Sequence, residues 1–298
     1  MLLVLALAHA QDSLPPWSQD ERPVELLFAP EGAPDTDLFF RGMGSPTITT
    51  DGSEFVLYFE TQLTPEAAAE LDTDISGCGN ARVWGIGRAT SPDGTLWSVD
   101  DDLVLPPRGG DAWDGCVVAQ PEVMFDGEAW HLWYKSEQVR EPCPEGGEAS
   151  EWGCERATGI GYATSSDGVA WTRSDAPAID PPVGGLYGYP RVTVDGEEWQ
   201  LVLSVLPNIE LFTADAPEGP WMAEPGGPIL APGGADWASG EVLRPSSLCA
   251  DADDGTETTL YVVGRRRTSC RPRHRLVPRP LRQHDPDQLD GGRRQPHP

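Results

Sequence analysis

The chain repeats a pair of short β-type motifs at intervals of tens of residues, and this repetition restricts the folds that it can adopt. The first motif joins a proline, a β-rich run, an Asp-Gly pair and an aromatic-rich run. Its copies begin at Pro46, Pro121, Pro190 and, more loosely, Pro245. Asp-Gly between alternating apolar residues is a strong β-hairpin signal, since the central positions of a type I′ turn require positive φ. Each copy therefore predicts a strand, a tight turn and a second strand.

A second motif predicts another hairpin in each repeat. It reads Gly-Ile-Gly-x-Ala-Thr-Ser-x-Asp-Gly-x-x-Trp at 85–97 and at 159–171, with a degenerate copy at 209–221. Two consecutive hairpins form a four-stranded antiparallel sheet, and successive sheets at such a spacing are typical of a β-propeller. The alternative is an ordinary β-sandwich with coincidental turns. The length over which the second motif is repeated favours the propeller.

The order of the turns predicts where a functional site lies. Tight Asp-Gly turns join the first strand to the second and the third to the fourth, so they share one face of the propeller. The longer connections lie on the other face, at 61–83, 100–119, 137–158, 174–189 and 222–244. Because loops on a rigid scaffold commonly carry function, we expect a site on that face, where the innermost strands begin.

Composition and the first ten residues indicate an exported protein that does not bind nucleic acid. The 298 residues suit one propeller, and a net charge of −27 disfavours phosphate binding, which requires basic surface. Residues 1–10 resemble the end of a secretory signal, with Ala8-His9-Ala10 as the cleavage pattern. No other stretch is long enough to span a membrane. We therefore expect a secreted or periplasmic domain that begins at residue 11.

The cysteines fit an oxidising compartment, in which disulfides persist. Cys143 and Cys154 lie in one predicted loop and are expected to bridge it. Cys78 and Cys116 lie in different loops on the same predicted face, which makes them a second expected pair. Zinc ligation is the alternative, but the sequence has no Cys-x-x-Cys motif and few histidines.

The sequence predicts no cofactor. The strongest indication of a metal is the run Asp251-Ala-Asp253-Asp254-Gly255, which holds the hard oxygen ligands that Ca²⁺ prefers. The same run is typical of a plain hairpin loop. No phosphate loop, nucleotide fingerprint or metalloprotease motif is present.

The composition changes abruptly at Arg265, where the predicted propeller of residues 11–264 ends. Residues 265–298 contain ten arginines and only three acidic residues, and they are rich in proline. This tail is either a basic, disordered interaction arm or the product of a shifted reading frame. In the second case, the end of blade four and a fifth blade are missing.

The two motifs together resemble blades of the five-bladed propeller glycosidases, the clan that includes arabinanases, β-xylosidases and invertases. The resemblance extends over about residues 40–264. It implies an all-β, five-bladed fold, here truncated within or after blade four, with carbohydrate bound at a central pocket. In the resembling enzymes, carboxylates at the starts of inner strands act as acid and base in hydrolysis.

The residue before each blade's proline departs from this resemblance. The first blade of the resembling enzymes has Asp before its proline, whereas the four residues here are Ser45, Gln120, Tyr189 and Arg244. Hydrolysis therefore stays open. The alternative is a non-catalytic propeller that binds a glycan or a protein partner.

Carboxylates near the inner strands are the candidates for acid/base catalysis. The runs 113–121 and 237–245 share one Trp-to-Pro spacing, so they lead into equivalent strands of blades two and four. Glu241 then stands where blade two has Val117, and the fold does not require it, which makes it the first candidate. Asp37, before the first inner strand, is the second, and Asp111 and Asp114 are weaker ones.

Candidate substrate-binding residues lie at or near the same strand starts. Their arginine, amide and hydroxyl groups suit sugar hydroxyls, and their indole rings suit pyranose faces or inter-blade packing. They are Arg41, Ser45, Gln120, Tyr189, Arg244, Trp113 and Trp237.

Overall fold

Antiparallel strands make up most of the structure, a computed structural model. It describes residues 43–75, 78, 83–94, 96–139, 156–180, 187–233, 240–252 and 255–265, all within one compact unit of residues 1–267. Several predictions from the sequence therefore concern residues outside the described ones: the signal at 1–10, Asp37, Arg41, Cys143, Cys154, Trp237 and residues 266–298.

The strands are grouped as the repeats predict. Blade one contains β1 (Met43–Thr50), β2 (Phe55–Gln62), β3 (Trp84–Ser91) and β4 (Ser98–Val99). Blade two contains β5 (Val117–Phe125), β6 (Trp130–Val139), β7 (Arg156–Ser165) and β8 (Thr172–Arg173). Blade three contains β9 (Tyr187–Asp195), β10 (Glu198–Val205), β11 (Asn208–Ala214) and β12 (Met222–Ala223). Blade four is described as the hairpin of β13 (Glu241–Ala252) and β14 (Gly255–Arg265).

Strand pairing and strand contacts have the pattern of a propeller. Within each of the first three blades, consecutive strands pair antiparallel. The innermost strands β1, β5, β9 and β13 contact one another in that order. A single parallel pair, Trp84 with Val117, also joins blades one and two. The predicted all-β propeller of four-stranded blades is confirmed, and the β-sandwich alternative is wrong.

The second motif holds the same structural position in three blades. Its central isoleucine pairs with a residue that follows the fourth strand of the same blade. The pairs are Ile86–Leu105, Ile160–Ile179 and Ile209–Leu230. The degenerate third copy is thus a genuine structural repeat.

Aromatic side chains fill the spaces between blades. Tyr58 of blade one is fully buried and packs edge-on against Trp171 of blade two. Its hydroxyl donates a hydrogen bond of 2.7 Å to the Gly168 carbonyl. Between blades two and three, Trp133 packs against Trp221, and its Nε1–H donates to the Pro217 carbonyl at 2.9 Å.

The Asp-Gly turns lie where predicted, but the predicted type I′ geometry is wrong. Gly52 and Gly127 have φ of 92° and 102°, whereas the aspartates before them do not have positive φ. Asp126 instead accepts hydrogen bonds from the backbone N–H groups of Glu128 and Ala129, both at 2.8 Å. This Asx-type bonding stabilises a four-residue loop, so the aspartate need not enter the left-handed region. These hydrogen bonds, with that of His131, lower the pKa of Asp126 to about 2.

A short helix and a disulfide shape the connections on the predicted functional face. The helix α1 (Pro65–Glu70) lies between β2 and β3, and the Thr64 side chain caps its N-terminus. The Cys78–Cys116 disulfide joins this connection to the residue before β5, with Cα atoms 5.4 Å apart. The prediction of this pair is confirmed. Across the part of the chain that the structure describes, no helix has the length and apolarity needed to span a membrane.

Candidate functional site

Each innermost strand is interrupted by an irregularity just before its proline. The strand register shifts between 44 and 47, between 119 and 122, opposite 188–191 and between 243 and 246. Proline has no N–H to contribute to a sheet ladder, which favours a β-bulge at this point. The residue before the proline has φ of 45°, 51°, 53° and 55° at Ser45, Gln120, Tyr189 and Arg244, respectively.

We call these four residues the pre-proline set. The left-handed region costs an L-residue about 1–2 kcal/mol, whereas glycine enters it freely. Elsewhere in the described residues, positive φ occurs only at glycine. Glycine would adopt this backbone conformation without strain in all four blades, yet four residues with different side chains occupy these positions. Such strained positions characteristically belong to functional sites.

The bulge leaves the backbone N–H of the pre-proline residue to be bound by the preceding blade. The N–H of Gln120 donates to Glu60 Oε2 at 3.0 Å, and that of Arg244 donates to Ser204 Oγ at 2.9 Å. The N–H of Tyr189 donates to the side-chain oxygen of Gln120 at 2.7 Å. A side chain of one blade thus holds the strained residue of the next.

The chemistry of the second strand explains why the acceptors differ. Glu60, Lys135 and Ser204 occupy equivalent positions of β2, β6 and β10, opposite the residue before the pre-proline residue. A carboxylate or a hydroxyl accepts a hydrogen bond, but an ammonium group only donates. Lys135 pairs with Glu137 at 2.6 Å instead, and Gln120 supplies the missing acceptor.

Polar contacts connect the pre-proline set across the blades. The hydroxyl of Ser45 donates to Glu60 Oε1 at 2.8 Å, so both oxygens of this carboxylate are bound. The side chain of Gln120 reaches Tyr189, and the guanidinium of Arg244 lies 5.0 Å from the centre of the Tyr189 ring. The structure therefore brings together the four residues that the sequence identified before the prolines.

Two glycines make room for the acceptor groups. A Cβ atom at Gly188 would lie 2.5 Å from Gln120 Oε1. A Cβ atom at Gly44 would lie 2.8 Å from Glu60 Oε1. Both glycines directly precede a pre-proline residue, so the geometry of the site depends on small residues at these two positions.

Glu122, two residues after Gln120, joins three blades through hydrogen bonds to its carboxylate. Its carboxylate accepts hydrogen bonds from Thr47 Oγ1 at 3.3 Å, Arg191 Nη1 at 3.1 Å and the Val192 N–H at 3.2 Å. Burial raises the pKa of Glu122 above its usual range, although Arg191 and Val192 oppose this shift. These contacts give Glu122 a structural role between blades one, two and three.

Asp114, a weaker catalytic candidate, likewise has both carboxylate oxygens bound by neighbouring side chains. It is completely buried and accepts hydrogen bonds from Arg108 Nε at 2.5 Å, Arg173 Nη1 at 2.9 Å and the Tyr134 hydroxyl at 3.0 Å. Trp113 packs in the same place, stacked on Tyr134 with ring centres 6.0 Å apart and with Arg108 over its ring. Trp113 therefore takes part in packing between structural elements.

The first catalytic candidate lies at the start of an innermost strand. Glu241 is the first residue of β13, as Val117 is of β5, so the predicted equivalence of these strands holds. Its catalytic role stays a prediction, as does that of Asp37. Among the residues that the structure describes, no group of three or more His, Cys, Asp or Glu side chains is arranged to hold a metal. The Asp251–Gly255 run lies where side chains are not described.

Sequence reasoning missed Glu60, although a signal for it exists. Glu60 follows the aromatic pair Tyr58-Phe59, and its equivalent Lys135 follows the pair Trp133-Tyr134. A charged residue directly after two buried aromatic residues of a strand is unusual, because such residues are seldom buried unless paired. The same feature in two blades marks the position.

Comparison with known proteins places the chain by fold. No family model matches the sequence, and no curated protein is significantly similar to it. A protein from Bacteroides thetaiotaomicron assigned as a glycosidase is similar in structure, with a TM-score of 0.52 at 15% identity over 75% of this chain and 66% of that one. A glycosyl hydrolase from Bacteroides ovatus is similar with a TM-score of 0.50 at 14% identity, over 72% and 58% of the two chains.

A third similar structure is a fructofuranosidase variant from Schwanniomyces occidentalis in complex with fructosylnystose. Its TM-score is 0.51 at 15% identity, over 76% of this chain and 41% of that one. The present chain thus spans two thirds or less of the length of these proteins. The likeness confirms the fold that the sequence motifs indicated: the chain is a β-propeller similar in architecture to these solved glycoside hydrolases.

Proposed function

We propose that this propeller binds carbohydrate at the pre-proline set. The observation that carries the proposal is the left-handed conformation of four non-glycine residues, one in each innermost strand. They offer a hydroxyl, an amide, a phenol and a guanidinium, which are the groups that hydrogen-bond to sugar hydroxyls. The glycoside-hydrolase-like fold supports carbohydrate as the ligand class by analogy.

Hydrolysis of a glycosidic bond is the activity that such a site would support if two carboxylates flank the bond. No member of the pre-proline set is acidic, and Glu122 and Asp114 are held by arginines. Glu241 at the start of β13 is the described carboxylate that best suits the acid/base role, with Asp37 as its proposed partner. Binding without catalysis is the alternative.

A glycan-binding screen followed by calorimetry tests the proposal. Wild-type protein should bind a subset of glycans, and Tyr189→Ala should weaken binding at least about tenfold, since the loss of a hydrogen bond in a binding site costs about 1–3 kcal/mol. Glu128→Gln, in an exposed tight turn between β5 and β6, is the matched control and should bind as the wild type does. Equal binding by Tyr189→Ala would contradict the location of the site.

A hydrolysis assay on the glycans that bind then separates the two alternatives. Release of reducing ends by the wild type, and its loss in Glu241→Gln with binding retained, is the expected result for an enzyme. Binding without release by any variant identifies the non-catalytic alternative.

We also propose that the protein is exported. The buried Cys78–Cys116 disulfide supports this, because such bonds persist in oxidising compartments. The prediction is that mature protein in the periplasm or medium begins at Gln11, which N-terminal sequencing measures. Recovery of full-length, reduced protein from the cytoplasm would contradict it.

A further inference from the structure

Almost all of the basic residues whose side chains the structure describes are paired with carboxylates. The structure describes the side chains of six basic residues, and five of them form ion pairs. The five are Arg88, Arg108, Lys135, Arg173 and Arg191. Arg244 is the exception: no carboxylate among the described residues lies within ion-pair distance of it. Within the described part of the chain, Arg244 is thus a cation without a carboxylate partner, and its position at the proposed site needs an explanation.

Arg244 is nevertheless held in place. Its backbone has the strained left-handed conformation, and its N–H donates to Ser204 Oγ at 2.9 Å. Its guanidinium lies over the Tyr189 ring, 5.0 Å from the centre. A cation–π contact orients the group but does not neutralise it. The residue is exposed, so the charge is available to a ligand.

The polar groups beside Arg244 that have no partner in the described part of the chain can each donate a hydrogen bond. The side-chain oxygen of Gln120 accepts from Tyr189, which leaves the amide N–H groups of Gln120 unbound among the described residues. The Tyr189 hydroxyl also has no partner there. Both oxygens of Glu60, the carboxylate in contact with the set, accept hydrogen bonds already. A site of free donors with an unpaired cation complements an anion.

We propose that the ligand is an acidic carbohydrate, a glycan with a uronic acid whose carboxylate binds Arg244. This rests on the proposed carbohydrate-binding function and names the substrate class of that site. A carboxylate has two oxygens that match the planar fork of a guanidinium, and the remaining donors suit the ring hydroxyls. The protein's net charge of −27 opposes anions at long range, but at physiological salt charges beyond about 8 Å are largely screened.

Calorimetry with acid and methyl-ester forms of the same glycans tests this inference. The ligands are short oligogalacturonides and oligoglucuronides, each with its fully methyl-esterified counterpart, at physiological salt. We expect the wild type to bind an acid about tenfold to a hundredfold more tightly than its ester, the range of one charge-assisted interaction. Arg244→Gln should remove this preference, Arg244→Lys should retain part of it, and Glu128→Gln should keep all of it.

The outcomes separate this inference from the proposed function. Equal affinity for acids and esters, or binding of neutral glycans alone, overturns the inference and leaves carbohydrate binding standing. No binding of any carbohydrate overturns both. A preference for acids that survives in Arg244→Gln also overturns the inference, because another group would then recognise the charge.

Discussion

Alanine normally gives a more stable strand than glycine, and the positive φ of Arg244 predicts that this order of stability is reversed at position 244. At an ordinary strand position, glycine is less stable than alanine by about 0.5–1 kcal/mol, since it loses more backbone entropy on folding. At Arg244, with φ of 55°, the left-handed backbone costs alanine about 1–2 kcal/mol that glycine does not incur. Arg244→Gly should therefore unfold with a higher free energy than Arg244→Ala.

A matched pair in the same strand isolates the backbone term. Ser246 is an exposed residue of β13, two positions further on, and its φ is not positive. The entropy difference between glycine and alanine is common to both sites and cancels. The glycine-minus-alanine difference in unfolding free energy should thus be about 1–2 kcal/mol more favourable at 244 than at 246. Both substitutions at 244 remove the contact with Tyr189, so its loss cancels as well.

Urea unfolding followed by tryptophan fluorescence measures the four variants, and equal m-values validate the comparison. We expect the glycine variant to have a higher free energy of unfolding than the alanine variant at 244 and a lower one at 246. If both sites show the same glycine-minus-alanine difference, Arg244 is not strained and the reasoning from conformation to function is refuted.

Four further predictions concern the site and the elements around it. Glu122→Leu leaves Arg191, whose side chain is 16% exposed, without its partner, so the free energy of unfolding should fall by about 2–3 kcal/mol. Adding Arg191→Leu to this variant should restore at least half of the loss, because no unpaired charge then remains. Urea unfolding of the single and the double variant measures both effects. Because burial raises the folded-state pKa of Glu122, its contribution is present at low pH and lost as pH rises through that pKa. The stability of wild type relative to Glu122→Gln should therefore fall as the pH rises above the ordinary glutamate pKa of about 4, and a rise would contradict the shift. Removing the disulfide with Cys78→Ala and Cys116→Ala, a separation of 38 residues, should cost about 3–4 kcal/mol in thermal or urea unfolding. Gly188→Ala should displace the side-chain amide beside it and weaken glycan binding with little change in secondary structure by circular dichroism; unchanged affinity would show that this amide does not matter to the site.

The repeats predict the blades well because hairpin signals are local. The Asp-Gly pairs and the Gly-Ile-Gly segments specify each strand pair without reference to distant residues. The turn type at Asp126 was wrong because the side chain accepts two backbone N–H groups, which turn propensity does not distinguish from a type I′ turn. The Cys78–Cys116 pair followed from the order of turns, which places both loops on one face.

The interior of the site was harder to predict because its partners come from different blades. Glu122 and Thr47 are separated by 75 residues in the chain, and no local pattern relates them. The role of Gln120 as an acceptor depends on its neighbour Lys135 being unable to accept. The sequence did identify the pre-proline residues, since each stands directly before a repeated proline, but their shared conformation is visible only in the structure.

Comparison of wild-type protein with a triple variant on a broad glycan array tests whether the pre-proline set binds carbohydrate. The variant carries Ser45→Gly, Tyr189→Gly and Arg244→Gly, which keep the left-handed backbone and remove three side chains; Gln120 is kept because it accepts the N–H of residue 189. We expect the wild type to bind a defined group of glycans and the folded triple variant to bind none of them. Undiminished binding by the triple variant, or no glycan binding by the wild type, would contradict it.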